Sequence, residues 1–503
     1  LAAIIGREFD VGLLRRLLPD PAALKSSLRA LQDAELIFQV DEATWKFKHA
    51  LIQEAAYQSQ IRAVRQAAHR RIAQVLLGEF SEVAANRPEL IARHLSAGGE
   101  AQASIEHWIK AGQRAAMNSA NAEAREHFDS GLRLLPSLLP GEHRDRLEST
   151  LQLNLGTLLV ATTGYGSAQA GEAYARALAL CEKQGATAGL FQALWGMWLT
   201  SSSRIGHAHS LELAGKLLQQ AEHTKDVLQL QSAHHAMGNS SFFSGNPSVA
   251  RQHLERSIAL YRSSHHDAMV REYGENVCVS SHSLLSLVLW LLGLPRQADV
   301  ASRRAIALAR QVEHPNSLGY ALCAAAMLNR WQARIESTTQ LTQEAMALAD
   351  RHGLPFWLGM GAAFDGWIQA MQGQAAGVTQ IRQCLAGVNA VMSGAITMFL
   401  APLCEALVHL GQWDEALAKI DEALEIISRN QDRFFESEFH RMRGVCLLGI
   451  SASNAVEAKA CFDRAIAISR RQGAKSLELR AAKSLAKLDR TGEARRTKRA
   501  GCE

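Results

Sequence analysis

The sequence predicts an all-α protein, most of it a right-handed α-solenoid of about nine helical hairpins, and three observations carry that expectation. The composition suits helices: 10 prolines and 6% aromatic residues in a chain of 503, with Ala and Leu abundant, leave few breakers and few strand formers. Residues 108–136, WIKAGQRAAMNSANAEAREHFDSGLRLLP, set the small residues Gly112, Ala115, Ala124 and Gly131 around the large Trp108 and Phe128 and close on Pro136. A small, large, small signature of the same kind then recurs along the chain with a mean step of about 42 residues.

The spacing within residues 108–136 has a steric reason. Gly112 and Ala124 let two antiparallel helices approach closely, and Phe128 fills the space between neighbouring pairs. Pro136, which lacks a backbone N–H, ends the second helix. One hairpin cannot bury its apolar face alone, so further copies are required. This ladder resembles a tetratricopeptide repeat.

Later second helices carry the same signature. Ala170, Tyr174 and Ala177 pair with Gly156 across a loop lengthened at TTGYGS, and Ala250, Leu254 and Ser257 pair with Gly238, with Gly245 at the turn. Ala298 and Ala305 follow WLLGLP, Ala416, Ile420 and Ala423 follow Gly411 in HLGQWDEA, and Ala458, Phe462 and Ala465 form the last copy. Weaker copies centre near Ala208, Thr338 and Val378. The step exceeds the roughly 34 residues of the ideal repeat, which implies longer helices or loops and a less regular superhelix.

The first 80 residues read differently. FDVGLLRRLL and PAALKSSLRALQDAEL are amphipathic, the second opened by Pro21 behind a cap at Asp20. LIFQV and WKFKH, separated by DEAT, read as a β-hairpin, and helices followed by a hairpin make a winged-helix outline. HALIQEAAYQSQ and RQAAHRRIAQVLLGEF return to helical periodicity. The expected division is a winged-helix domain with connecting helices at 1–80, the array at 81–475, a capping helix at 476–488 and a basic, disordered tail at 489–503.

FKHALIQEAAYQSQIRAVRQAAHRRIAQVL, with His49, Ala56 and Tyr57, then PELIARHLSAGGEAQASIEHWIKAGQRA and AIAISRRQGAKSLELRAAKSLAKL, resemble the C-terminal region of large bacterial signalling ATPases of the STAND class. The similarity is to those fused to a class III adenylate or guanylate cyclase domain and an AAA-type ATPase. It implies a winged helix and repeat array lying downstream of catalytic domains. The start at Leu1 rather than Met fits a fragment whose N-terminal part is missing. No GxxxxGK[ST] phosphate loop occurs, and the nearest approach, Ala214, Gly215, Lys216 and Leu217, lacks the first glycine and the hydroxyl. No sheet after residue 50 could carry a cyclase's metal-binding aspartates. No catalytic residue and no cofactor is therefore expected in this chain.

Composition narrows the partners. A net charge of +5 over 503 residues implies no broad nucleic-acid or membrane surface. The longest apolar run, residues 284–294, falls short of the roughly 20 residues that span a bilayer. Eight scattered cysteines without a CxxC pair suit buried thiols in a reducing cytoplasm, and Cys323, Cys384 and Cys404 sit on apolar faces where a thiol stays protonated. His207 with His209, His234 with His235, and His265 and His266 with Asp267 lack further ligands at zinc spacing and read as solvated loop histidines, so no metal is expected. In the winged helix, Lys25 and Arg29 are offset by Asp33 and Glu35, and a joint between domains is favoured over DNA binding.

Stacked hairpins curve, and their first helices line a concave groove. By register that groove should receive Gln113, Met117, Met197, His235, Asn239, Phe242, Leu287, Trp290, Trp367, Met371, Glu405 and His409. The partner-groove candidates are His235, Asn239, Phe242, Trp290, Trp367, Glu405 and His409, with packing between repeats the alternative for Trp290 and Trp367. The expected function is a non-catalytic scaffold that binds a protein or small effector in the groove and relays it to an upstream ATPase in cis. The alternatives are a fragment of a cyclase or ATP-binding enzyme whose catalytic domains lie elsewhere, and a winged-helix transcriptional regulator.

Overall fold

The structure, a computed structural model, describes residues 1–18, 21–185, 189–204, 206–389 and 396–500, with 21, 202–204, 388–389 and 491–500 described as backbone only. The cap expected at Asp20, and Cys502, lie outside the described residues. Contacts divide the chain into two compact units, Leu1–Leu151 and Gln152–Glu503.

The first unit begins with α1 (Ala2–Ile5), β1 (Glu8–Asp10), α2 (Val11–Leu17), α3 (Leu24–Asp33), β2 (Ile37–Gln39) and β3 (Thr44–Phe47). The expected hairpin is β2–β3, and β1 completes an antiparallel sheet of order β1-β3-β2, with Phe9 opposite Trp45 and Ile37 opposite Phe47. Two residues of β1, Phe9 and Asp10, were expected to open the first helix. Asp10 instead accepts a hydrogen bond from Leu13 N at 2.7 Å, which starts the helix at Val11 and leaves the three preceding residues free to pair with β3.

The unit continues with α4 (Ala50–Gln58), α5 (Arg62–Glu79), α6 (Ser81–Asn86), α7 (Pro88–Gly98), α8 (Ala101–Met117), α9 (Asn121–Leu134) and the first half of α10 (Glu142–Thr163). Tyr57 on α4, His69 on α5 and His94 on α7 form a chain of hydrogen bonds, 3.1 Å from hydroxyl to imidazole and 2.8 Å between the two imidazoles. The hairpin α8–α9 has the close approach expected at Gly112, but the Phe128 ring packs against Gly112 within the pair, where it was expected between neighbouring pairs. A Cβ added at Gly112 would lie 2.3 Å from Phe128 Cε1, Phe128 and Ala124 are buried, and Trp108 stacks on His127. Pro136 lies in the 3₁₀ turn Leu135–Ser137 that follows α9.

The second unit holds α11 (Ala168–Gln184), α12 (Leu190–Arg204), α13 (His207–Thr224), α14 (Val227–Phe243), α15 (Pro247–Ala259), α16 (His266–Tyr273), α17 (Val277–Leu291) and α18 (Pro295–Val312). Then come α19 (Pro315–Trp331), α20 (Ile335–His352), α21 (Pro355–Met371), α22 (Ala376–Asn389), α23 (Thr397–His409) and α24 (Trp413–Asn430). The last helices are α25 (Glu436–Ile450), α26 (Ala455–Gln472) and α27 (Lys475–Ala500).

All nine expected second-helix centres fall near the start of a second helix, from Ala124 on α9 and Ala170 on α11 to Ala416 on α24 and Ala458 on α26. Ala416 and Ala423 are fully buried, and Gly411 takes a left-handed φ of 71° in the turn before α24. Two features depart from expectation. A short helix, α16, is inserted between hairpins, and α27 runs to Ala500, so the backbone of 489–500 is helical where a disordered tail was expected.

The larger departure is in the groove. Every residue of α17 but His282 is buried, its four serines included, so the helix is covered on all sides. The unit's own later hairpins provide the cover. The turn between α24 and α25 enters the interior: Phe434 packs 5.0 Å from Phe242 and 5.5 Å from Phe243, and Arg433 N donates to Phe243 O at 2.7 Å. From α27, Ser476 Oγ donates to the Trp290 carbonyl and the Arg480 guanidinium lies 5.1 Å from the Trp290 ring centre. One continuous core therefore runs from Phe242 to Leu477. No described helix is long and apolar enough to cross a membrane.

Candidate functional site

Closure leaves a cavity of about 120 Å³ in the second unit, room for several waters or a small molecule. Its walls come from the Gly164–Ser167 loop (Tyr165), α12 (Trp198, Leu199), α13 (His207), α14 (His235, Asn239, Phe242, Phe243), the α16–α17 loop (Glu275), α17, α19 (Tyr320, Cys323, Met327), α21 (Phe356, Trp357, Met360), α23 (Met398) and the α24–α25 turn (Phe434). Tyr165, Tyr320, Phe356 and Trp357 form one aromatic cluster: Tyr165 lies 5.2 Å from Phe356 and 6.1 Å from Trp357, and Tyr320 lies 5.4 Å from Trp357.

The position of Glu275 follows from its neighbours. Gly274 ends α16 with a φ of 74°, and its carbonyl accepts from Asn316 Nδ2 at 3.0 Å. Asn276 caps α17, its side chain accepting from Cys278 N and Val279 N, while its own N–H donates to Ser317 Oγ at 2.8 Å. Asn316 also accepts from Trp357 Nε1 at 2.6 Å. Both flanks of Glu275 are thus fixed to α19. Its side chain is held in the wall at 4% exposure, and Oε2 accepts no hydrogen bond from any described residue. Burial pushes the carboxyl up to about 7, and the Ser280 hydroxyl acts in the opposite direction.

Other polar groups of the wall are His235, His207 and Cys323. His235 Nδ1 and Ser281 Oγ are 2.9 Å apart, and burial pushes the imidazole down to about 3. His207 stacks on Phe243 with ring centres 4.7 Å apart, and its Nε2 is 3.9 Å from Asp432 Oδ1. Burial raises the Cys323 thiol to about 12, which keeps it protonated.

The seven groove candidates separate. His235, Asn239 and Phe242 line the cavity, as does Leu287. Trp290 packs 5.1 Å from Trp331, and Trp367 is buried in the same core, so both take the packing alternative. Glu405 pairs with the buried Arg330 at 2.6 Å, and His409 is exposed. An open groove would have gathered all seven, but inward turns of α24–α25 and α27 leave only the α14 end uncovered from within.

The histidines expected in solvated loops are also corrected. His207 and His235 are buried, and His234 is half-buried with its Nδ1 2.9 Å from His253 Nδ1. Each lies on an inward helical face, which a reading of adjacent histidines alone does not reveal. Among the described residues no three His, Cys, Asp or Glu side chains are grouped to hold a metal ion.

Glu275, Tyr320, Phe356, Trp357 and Phe434 were missed as wall residues. A signal existed for Glu275: the step from Ala250 to Ala298 is longer than the mean, and the excess holds α16 and the loop that carries this carboxylate.

No model of a known protein family matches the chain. An uncharacterized protein of Rhizobium meliloti (strain 1021) is 27% identical over 508 residues, covering 97% of this chain and 48% of the relative. The chain thus spans about half the length of the curated relative it matches. Solved structures similar to it include aspartyl phosphate phosphatase F from Bacillus subtilis, at 14% identity over 74% of this chain and 95% of that one, with a TM-score of 0.42. A Rap protein complexed with competence and sporulation factor matches at 8% identity over 78% and 98%, TM-score 0.40. A STAND protein with a tetratricopeptide repeat sensor from Pyrococcus horikoshii matches at 12% identity over 77% and 62%, TM-score 0.36.

Proposed function

We propose that the second unit is the effector-sensing part of a regulatory protein, and that it acts without chemistry of its own. The observation that carries this reading is the cavity: a close-packed core has few voids larger than a water, whereas about 120 Å³ here is walled by aromatic side chains and a fixed carboxyl. A small effector fits this interior better than a long peptide, because α24–α25 and α27 occupy the face along which a peptide would lie.

The effector would act by stabilising the closed arrangement of hairpins over a more open one, since a ligand shifts a conformational equilibrium by its differential affinity for the two states. In this reading the winged-helix unit passes the change to an ATPase module in cis, and the greater length of the Rhizobium meliloti relative leaves room for one. A cyclase joined to that module is the finer form of the proposal, and the cytoplasm its setting.

The test is to purify the chain from its native host, denature it and identify released small molecules by mass spectrometry. The same is done with Ala324→Trp, which places an indole in the cavity. One compound recovered near stoichiometry from wild type and lost from the variant supports the reading. Equal recovery from both, or none combined with a variant more stable than wild type, identifies the cavity as a packing defect.

A further inference from the structure

We infer that the cavity takes a small organic cation, an amine or quaternary ammonium with an apolar body, whose charge is met by Glu275 and by the rings of Tyr165, Tyr320 and Trp357. This rests on the reading of the cavity as the effector site and names the chemistry of its occupant.

The argument starts from how this unit treats its other buried carboxyls. Glu438 Oε1 receives the guanidinium groups of Arg441 at 2.7 Å and Arg480 at 2.8 Å. Asp432 Oδ2 accepts from the Thr397 hydroxyl and Oδ1 faces His207. Glu275 has only the Ser280 hydroxyl beside it. Its Oε2, like Glu438 Oε2 and Asp432 Oδ1, is without a hydrogen-bond partner, and none of the described residues lining the cavity is a Lys or Arg that could offset it. A buried carboxylate in that state costs free energy unless it takes up a proton, which burial favours here, or a cation enters to pair with it.

The loop cannot turn the carboxyl out to water, because Asn316, Ser317 and the capping Asn276 hold both of its flanks. The surroundings select the sign of the occupant. His235 is tied to Ser281 and brings no positive charge, while Tyr165 and Tyr320 lie close enough to Glu275 for its charge to raise both phenols further above the ordinary range, after burial. Aromatic faces and a carboxylate attract a cation together, whereas an anion would meet repulsion from both. The remaining wall, Met327, Met360 and Leu284 among it, suits an apolar body.

The experiment is calorimetric titration of the whole chain with choline and with benzyltrimethylammonium. Each is compared with an uncharged carbon isostere in which a tert-butyl group replaces trimethylammonium. At least one cation is expected to bind at least about tenfold more tightly than its isostere. Glu275→Gln, nearly isosteric, should remove that preference while circular dichroism stays unchanged, and Tyr320→Leu should weaken the cation by about threefold to thirtyfold.

Equal binding of cation and isostere would overturn the inference and leave the effector site standing. Failure of both cations to bind would also overturn it, and the mass-spectrometric comparison with Ala324→Trp then decides the effector site separately. If Glu275→Gln does not fold, the cation-to-isostere ratio in the wild-type chain decides the matter by itself.

Discussion

The backbone N–H of Arg433 donates to the carbonyl of Phe243 at 2.7 Å, joining the turn before the ninth hairpin to the end of the first helix of the fourth. Hairpins that contact only their neighbours in an extended solenoid here meet across the interior. The adjacent residue, Phe434, is 3% exposed and lies among Phe242, Phe243, Trp331 and Phe435. Arg433 O in turn accepts from Gln472 Nε2 at 2.9 Å, so the turn is fixed from both sides.

Phe434→Ala should therefore cost about 3 to 5 kcal/mol in urea unfolding of the second unit, the range for deleting a buried aromatic ring. It should also enlarge the cavity and weaken any occupant. A loss below about 1 kcal/mol would mean that this turn does not hold the array closed.

Phe128→Ala should cost about 3 to 5 kcal/mol by emptying the space between α8 and α9. Gly112→Ala should also destabilise, since its new Cβ would meet the Phe128 ring at 2.3 Å. In the Phe128→Ala background the same change should be tolerated far better. Additive losses in the double variant would show that the two positions do not share one space.

Buried histidines predict loss of stability in acid. Burial pushes His94, His282 and His314 down to about 4 and His235 to about 3, with His69 and Arg93 adding to the effect at His94. Protons therefore bind the unfolded chain first, so this stability is present above the ordinary value of 6.5 and is lost as pH falls from there towards 4. Glu275 and Asp432, both raised to about 7 by burial, act in the opposite sense over the same interval but are fewer. Melting temperatures at pH 7.5, 6 and 5 should fall in that order, by about 2 °C or less per kcal/mol in a unit as large as the second. A rise towards acid would show the carboxyls dominate.

Asp432 isolates the opposing effect. Its folded value is raised by burial to about 7 against an ordinary 3.8, so its contribution is fully present below 3.8 and lost as pH rises through 7. Asp432→Asn, which can still accept from Thr397, should raise the melting temperature at pH 8 and change it little at pH 4. A variant less stable than wild type at pH 8 would instead reveal a charged pair with His207.

ATP should show no saturable binding to the chain in calorimetry, because no sequence cradles a triphosphate with backbone amides, a Lys and a hydroxyl. A stoichiometric isotherm would refute this and move the search to the cavity wall.

The hairpins were legible in the order of residues alone. Small, large and small residues at helical spacing answer to contacts within one pair, such as Gly112 on Phe128 and Gly238 on Leu254, so second helices could be placed from residues that lie close in the chain. The β2–β3 hairpin was legible in the same way, but β1 only through a capping aspartate that looked like part of a helix. What the first helices face was settled by folding at long range. Closure is made by Phe243 with Arg433, Trp290 with Ser476 and Trp331 with Phe435, pairs so distant in sequence that no period links them. The same closure buried Trp290, paired Glu405 with Arg330 and set Glu275, one acidic residue before an apolar helix, as a buried carboxyl in the wall of an aromatic cavity.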